Sequence, residues 1–245
     1  MKRLSFLLFF IFATVLTGFS QGSELGVFGG GSFYMGDLNP NKLFYRTKPA
    51  FGLIYRKLLN PRYALKSNLV YGNLEAYDSD SNNPVQRARN LNFRTKIIEL
   101  SGQIEFNFLP YDLGDPNYPF SPYIFAGISV FRFNPQAYIN NTLVDLRPMS
   151  TEGQGASPGK SAYALTQLAF PFGIGLKISL ANRVGLGIEW GFRKTSTDYL
   201  DDVSTTYPNS GLQRGNSKTK DWYSLAGIML TYKIGPKIAK CPAYK

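Results

Sequence analysis

Residues 96–108 read KIIELSGQIEFNF, and alternate residues belong to two unlike sets. Ile98, Leu100, Ile104, Phe106 and Phe108, with Gly102 among them, are apolar. Glu99, Ser101, Gln103, Glu105 and Asn107 are polar, and Ile97 is the apolar exception in their set. A period of two places the sets on opposite faces of a β-strand. Two kinds of closed sheet suit such a strand. A water-soluble barrel packs the apolar face inside; a membrane barrel turns it to lipid and encloses the carboxylates.

The same test finds seven more segments. Residues 25–35 alternate but are diluted by glycine, and 49–57 are followed across LLNP by 62–74, where Tyr63, Leu65, Leu69 and Tyr71 share a face. Segment 122–133 is apolar on both sides. Over 168–178, Leu168, Phe170, Phe172, Ile174, Leu176 and Ile178 alternate with small or polar residues. Val184, Leu186, Ile188, Trp190 and Phe192 do so against Gly185, Gly187, Glu189, Gly191 and Arg193. The last segment, 222–234, groups Trp222, Ala226, Ile228, Leu230, Tyr232 and Ile234. The links alternate as well. LLNP, PYDLGDPNYPFS and ANR are turns, whereas 36–48, 75–93, 134–165 and 196–221 are long and polar. Turns on one rim and long loops on the other is the layout of outer-membrane barrels, with periplasmic termini.

Volume decides between the two barrels. An eight-stranded interior is just wide enough for side chains. Glycines and a few charges fit inside it; Phe, Trp and Leu from every strand do not. The sequence therefore predicts an all-β protein, an eight-stranded antiparallel transmembrane β-barrel over 21–234 with long extracellular loops. Enclosed charges must be paired. Lys66, Glu99, Glu105, Lys177, Arg183, Glu189 and Arg193 lie on predicted inward positions. They are expected to form an ion-pair network that plugs the barrel.

The ends have their own character. Met1-Lys2-Arg3, an apolar run from Leu4 to Leu16 and small residues beyond describe a signal peptide over 1–20. No other stretch reaches ~18 unbroken apolar residues, so no transmembrane helix is expected. Aromatics make up 15 % of the chain, with 16 Tyr and 19 Phe, which suits strands and interfacial belts. Without Lys2 and Arg3 the formal charge falls from +11 to +9, but the positive residues are scattered and nucleic acid is not an expected partner. After the last strand, Gly235-Pro236 open a tail, 235–245, carrying Lys237, Lys240 and the only cysteine, Cys241. A single cysteine in an exported protein points to an intermolecular disulfide or a free thiol.

Catalysis finds little support. The chain has no His, which removes Ser-His-Asp chemistry and the usual zinc ligand. A carboxylate-pair hydrolase remains conceivable. Asp198, Asp201 and Asp202 lack the DxDxDG spacing of a calcium loop and are expected to be solvated. TEGQG (151–155) reads as a tight loop and not a phosphate cradle, since no strand-to-helix context follows. No enzyme, cofactor or metal is expected.

Several stretches taken together, FRTKIIELSGQIEFNF (93–108), SPYIFAGISVFRFNPQA (121–137), LRPMSTEGQG (146–155), FPFGIGLKI (170–178) and FRKTSTDYLDDVS (192–204), carry a family likeness. In that order they resemble the PorG-like outer-membrane barrel family of Bacteroidota, a component of the type IX (Por) secretion system. The resemblance implies a non-enzymatic barrel that ties the periplasmic ring of that machine, a lipoprotein and its soluble partner, to the outer membrane. It also implies that Cys241 sits where a tail cysteine would link to the ring lipoprotein, with Lys237 and Lys240 as tail contacts. The rival expectation is a stand-alone surface-binding or adhesion barrel that acts through its loops.

Overall fold

The computed structural model describes residues 22–149, 162–203 and 220–234. The predicted signal peptide, the tail with Lys237, Lys240 and Cys241, and TEGQG lie outside those residues. The described strands are β1 (Ser23–Met35), β2 (Lys48–Leu58), β3 (Tyr63–Tyr77), β4 (Asn92–Asn107), β5 (Phe120–Ile139), β6 (Thr142–Asp145), β7 (Thr166–Ala181), β8 (Val184–Thr195) and β9 (Trp222–Ile234). Each pairs antiparallel with its neighbours; β1 meets β9 and β4 meets β5, so the sheet closes on itself. Eight strands form the wall. β6 only extends the outer end of β5 as a hairpin.

The opening stretch now has a direction. In β4, Glu99 and Glu105 have no exposed surface, while Leu100 is 58 % exposed. Leu100 stands opposite Leu69 on β3 and Val130 on β5, both also exposed, so the apolar ladder covers the outside. Such a continuous apolar belt is stable against lipid and not against water. Aromatic rings flank it. Phe44, Trp190, Phe192, Phe172 and Trp222 run edge to edge near the long-loop rim, and Tyr63, Phe106 and Phe108 do so near the other. Among the described residues no helix is long and apolar enough to cross a membrane.

β5 was the segment apolar on both sides. Its Tyr123, Phe125, Phe131 and Phe133 point inward, and Ile124, Ile128 and Val130 point out. Inward rings need space, and glycines on the facing strands supply it. A Cβ on Gly175 would lie 2.4 Å from the Tyr123 ring, and one on Gly191 would lie 2.5 Å from Phe125. The glycines of β7 and β8 are therefore the complement of the rings of β5.

Described residues pack into both rims. On the short-turn rim, link 108–119 folds inward, burying Tyr111 and Leu113, with the Tyr111 N–H donating to the Pro61 carbonyl at 2.9 Å. Gly114, at φ +90°, packs against the Asn182 backbone, where a side chain would collide. On the other rim, Tyr34, Leu38, Leu74, Phe93, Phe133, Leu200 and Val203 pack into one apolar cluster. A short helix, Pro84–Arg89, sits there too; Asn83 caps it by accepting from Val85 N–H at 2.9 Å.

Candidate functional site

Building the interior outward from β4, Glu105 is its hub. Arg56 donates to it through Nε at 2.8 Å and reaches Glu24 through Nη1 at 2.6 Å. Lys177 Nζ lies 2.6 Å from Glu105 and 2.8 Å from Asn107 Oδ1. Lys66 is 3.2 Å from Glu105 and also pairs with Glu189, which accepts from the Tyr123 hydroxyl at 2.6 Å. The ammonium groups of Lys66 and Lys177 also stand over the Phe125 and Tyr123 rings at 4.4 and 4.5 Å. Glu24, Glu105 and Glu189 thus face Arg56, Lys66 and Lys177, and the tier is neutral.

A second tier lies toward the long loops. Arg193 Nε is 3.4 Å from Glu99, which accepts from the Tyr223 hydroxyl at 2.6 Å. Between the tiers Asn68, Glu189 and Arg193 border a cavity of about 10 Å³, no larger than a water molecule. Four acceptors, Glu24 Oε1, Asn68 Oδ1, Glu99 Oε1 and Gln103 Oε1, and one donor, Arg193 Nε, have no hydrogen-bond partner among the described residues. Among the described residues, the buried side chains of these two tiers and the inward rings of β5 cross the interior.

The structure thus brings Lys66, Glu99, Glu105, Lys177, Glu189 and Arg193 together inside the barrel. Arg183 is a correction: it is exposed, in the two-residue turn between β7 and β8. Counting by twos from Gly185 puts it inward, but the strand begins at Val184, and the β7–β8 register shifts between Ser179 and Ala181. Glu24 and Arg56 were missed. The glycines of β1 obscured its alternation, and Arg56 stood at the polar end of a short segment. The signal was present in β2, where Ala50, Gly52, Ile54 and Arg56 form the set opposite Phe51, Leu53 and Tyr55.

Asp198, Asp201 and Asp202 are a second correction. They are buried, not solvated. Asp201 and Asp221 flank the Tyr34 hydroxyl, Asp202 accepts from Tyr163 at 2.6 Å, and Arg89 grips Asp78 with two bonds at 2.6 and 2.7 Å. Burial raises the Asp201 and Asp221 carboxyls well above the usual range, and the charge of Asp221 adds to the effect on Asp201. Further out, links 36–47 and 78–91 enclose a cavity of about 360 Å³ bordered by Asn39, Lys42, Tyr45, Tyr77, Asp80 and Gln86. Tyr45 and Arg46 both bond Asp80 there, at 2.7 and 2.6 Å, and Asp80 is lowered chiefly by the Arg46 bond. Among the described residues no group of His, Cys, Asp and Glu is arranged to hold a metal.

A family model described as a domain of unknown function, DUF6089, matches residues 2–243. The chain belongs to the DUF6089 family. No curated protein matches this DUF6089 chain. Among solved structures it is similar to a major outer membrane protein from Thermus thermophilus, at 13 % identity and TM-score 0.47, covering 88 % of this chain and 100 % of that one. It is also similar to Ail, the attachment invasion locus protein of Yersinia pestis, at 9 % identity and TM-score 0.45, covering 88 % and 100 %. OprG from Pseudomonas aeruginosa shares 10 % identity at TM-score 0.43, covering 88 % and 98 %. The DUF6089 chain is a closed, eight-stranded antiparallel β-barrel whose apolar face is turned outward.

Proposed function

We propose that this DUF6089 barrel is a non-conducting, non-enzymatic component of the type IX secretion system, which anchors the periplasmic ring to the outer membrane. The observation that carries this reading is the filled interior. A barrel closed by two neutral ion-pair tiers has no room to transport, so its work lies at its rims and in the segments beyond the wall. Ser23 pairs with Ile234, so the chain enters and leaves the barrel at the rim of short turns. With that rim periplasmic, the last described residue, Ile234, lies on the side of the ring. Lys237 and Lys240 are weak contacts alone at periplasmic salt; a disulfide from Cys241 to the ring lipoprotein makes the tether durable.

The test is a non-reducing gel of purified outer membranes. A larger, reductant-sensitive species containing this barrel is expected, and Cys241→Ser should abolish it while the barrel still inserts. A monomer without reductant, with ring attachment intact in Cys241→Ser, refutes the tether. The cavity between links 36–47 and 78–91 favours a second reading, surface binding through the loops. Deleting 236–245 separates the two: an anchor loses its ring, and a surface binder keeps its ligand.

A further inference from the structure

At the outer mouth the hydrogen bonds around Tyr34 require one proton more than two ionised aspartates supply. The Tyr34 oxygen lies 2.6 Å from Asp201 Oδ2 and 2.7 Å from Asp221 Oδ1. A phenol carries one hydrogen, and an ionised carboxylate carries none. With both aspartates ionised, one of these contacts would be oxygen against oxygen with no hydrogen between. One carboxyl must therefore be protonated and donate to the phenol oxygen, while the phenol donates to the other. The remaining carboxyl oxygens are already engaged. Val203 N–H donates to Asp201 Oδ1 at 2.9 Å, and Leu200 N–H donates to Asp221 Oδ2 at 3.0 Å.

The surroundings favour keeping that proton. All three residues are essentially without exposed surface. Asp37 from link 36–47 and Asp198 from 196–203 add negative charge beside the pair. Arg89 is a cation that acts on Asp201, but it is bonded to the Asp78 carboxylate and the Asp37 carbonyl. Asp202 is bonded by Tyr163, whose carbonyl accepts from Arg147. Among the described residues, neither Asp201 nor Asp221 forms an ion pair. Lone buried carboxylates are costly, and protonation is the ordinary escape.

We propose that Tyr34, Asp201 and Asp221 form a one-proton latch that holds segment 196–203 closed over the barrel mouth and weakens as pH rises. Tyr34 belongs to β1, Asp201 to the segment after β8, and Asp221 to the residue before β9, so the latch ties three chain positions together. Its closed state buries Leu200 and Val203 against Tyr34, Leu38, Phe93 and Phe133. Opening returns both carboxyls to water, where an aspartate ionises near pH 3.9. Closing thus takes up one proton from solvent. Between the ordinary aspartate value and the raised value of the pair, the closed state binds more protons than the open one. Over that interval each pH unit upward raises the opening equilibrium about tenfold, and above it the equilibrium is level. The latch is firmest at the acid end.

The test uses the full chain folded in lipid nanodiscs, with hydrogen exchange at the Leu200 and Val203 amides from pH 4 to 9, corrected for intrinsic chemistry. The opening constant should rise about tenfold per pH unit before levelling. Asp201→Asn and Asp221→Asn each replace an ionisable group by an amide donor, so each should keep the protection and lose the slope. Tyr34→Phe should open the segment at every pH. An infrared carboxylic-acid carbonyl band at neutral pH, lost in the double variant Asp201→Asn/Asp221→Asn, provides a reading independent of loop stability. A wild-type opening constant flat across the range, or no such band in the wild type, overturns the proposal.

Discussion

Removing the charge of Glu105 tests whether the interior is held by matched pairs. In Glu105→Gln, Arg56 keeps Glu24 and Lys66 keeps Glu189, but Lys177 loses its paired carboxylate and keeps only neutral neighbours, Asn107 and the Tyr123 ring, beside the new amide. Lys177 is 1 % exposed, so the stranded ammonium has no route to bulk water without deforming the barrel. Breaking a buried pair from one side costs about 3–5 kcal/mol; the glutamine still accepts a hydrogen bond, which puts the loss near the lower figure. Lys177→Met is milder, about 1–2 kcal/mol, because Glu105 retains Arg56 and Lys66. Combining the two removes one charge of each sign and restores neutrality. The double variant should therefore be more stable than Glu105→Gln alone, a coupling of about 1–3 kcal/mol. Equilibrium urea unfolding in phospholipid vesicles measures this, with the fluorescence of Trp190 and Trp222, both on the outer wall, reporting insertion. A loss below about 1 kcal/mol for Glu105→Gln, with additive behaviour in the double variant, would mean that water screens these charges and that the interior is not dry.

The outer face responds to the opposite change. Leu100→Arg places a cation at the middle of β4, on the lipid side, and should cost about 2–4 kcal/mol in the same unfolding assay; equal tolerance of Leu100→Arg and Leu100→Ala would contradict the assignment of faces. Purified barrel in planar lipid bilayers should give no steady conductance, because buried ion pairs and inward rings cross the interior; ohmic steps that scale with salt would refute a plugged interior.

What could be read in advance followed from local alternation, and what escaped depended on residues far apart. β4 declared its faces because all but one member of its polar set is polar, and the rhythm of short and long links gave the barrel order. β5 gave no direction of its own, since its inward rings are admitted only by glycines of β7 and β8. β6 was hidden within a long polar link, although Asn140 and Asn141, both at positive φ (48° and 63°), are suited to a two-residue hairpin turn. Asp201 looked like a solvated loop residue because its neighbours in sequence are polar and its partner, Tyr34, is 167 residues away. A carboxylate's burial depends on whether a proton or a cation meets it, and that is a property of the closed barrel. The interior cations follow the same logic: Lys66 and Lys177 are tolerable because Glu105 stands between them, Glu189 also pairs with Lys66, and Arg56 balances Glu24. The narrow interior that rules out a core of Phe and Leu from every strand also leaves little room for water to solvate a charge, so each charge that lines it needs a counter-charge from another strand. Glycine, aromatic ring and ion pair are three solutions to one limit on volume, and the strands of this barrel divide them: glycines on β7 and β8, rings on β5, and carboxylates on β1, β4 and β8 facing cations on β2, β3, β7 and β8.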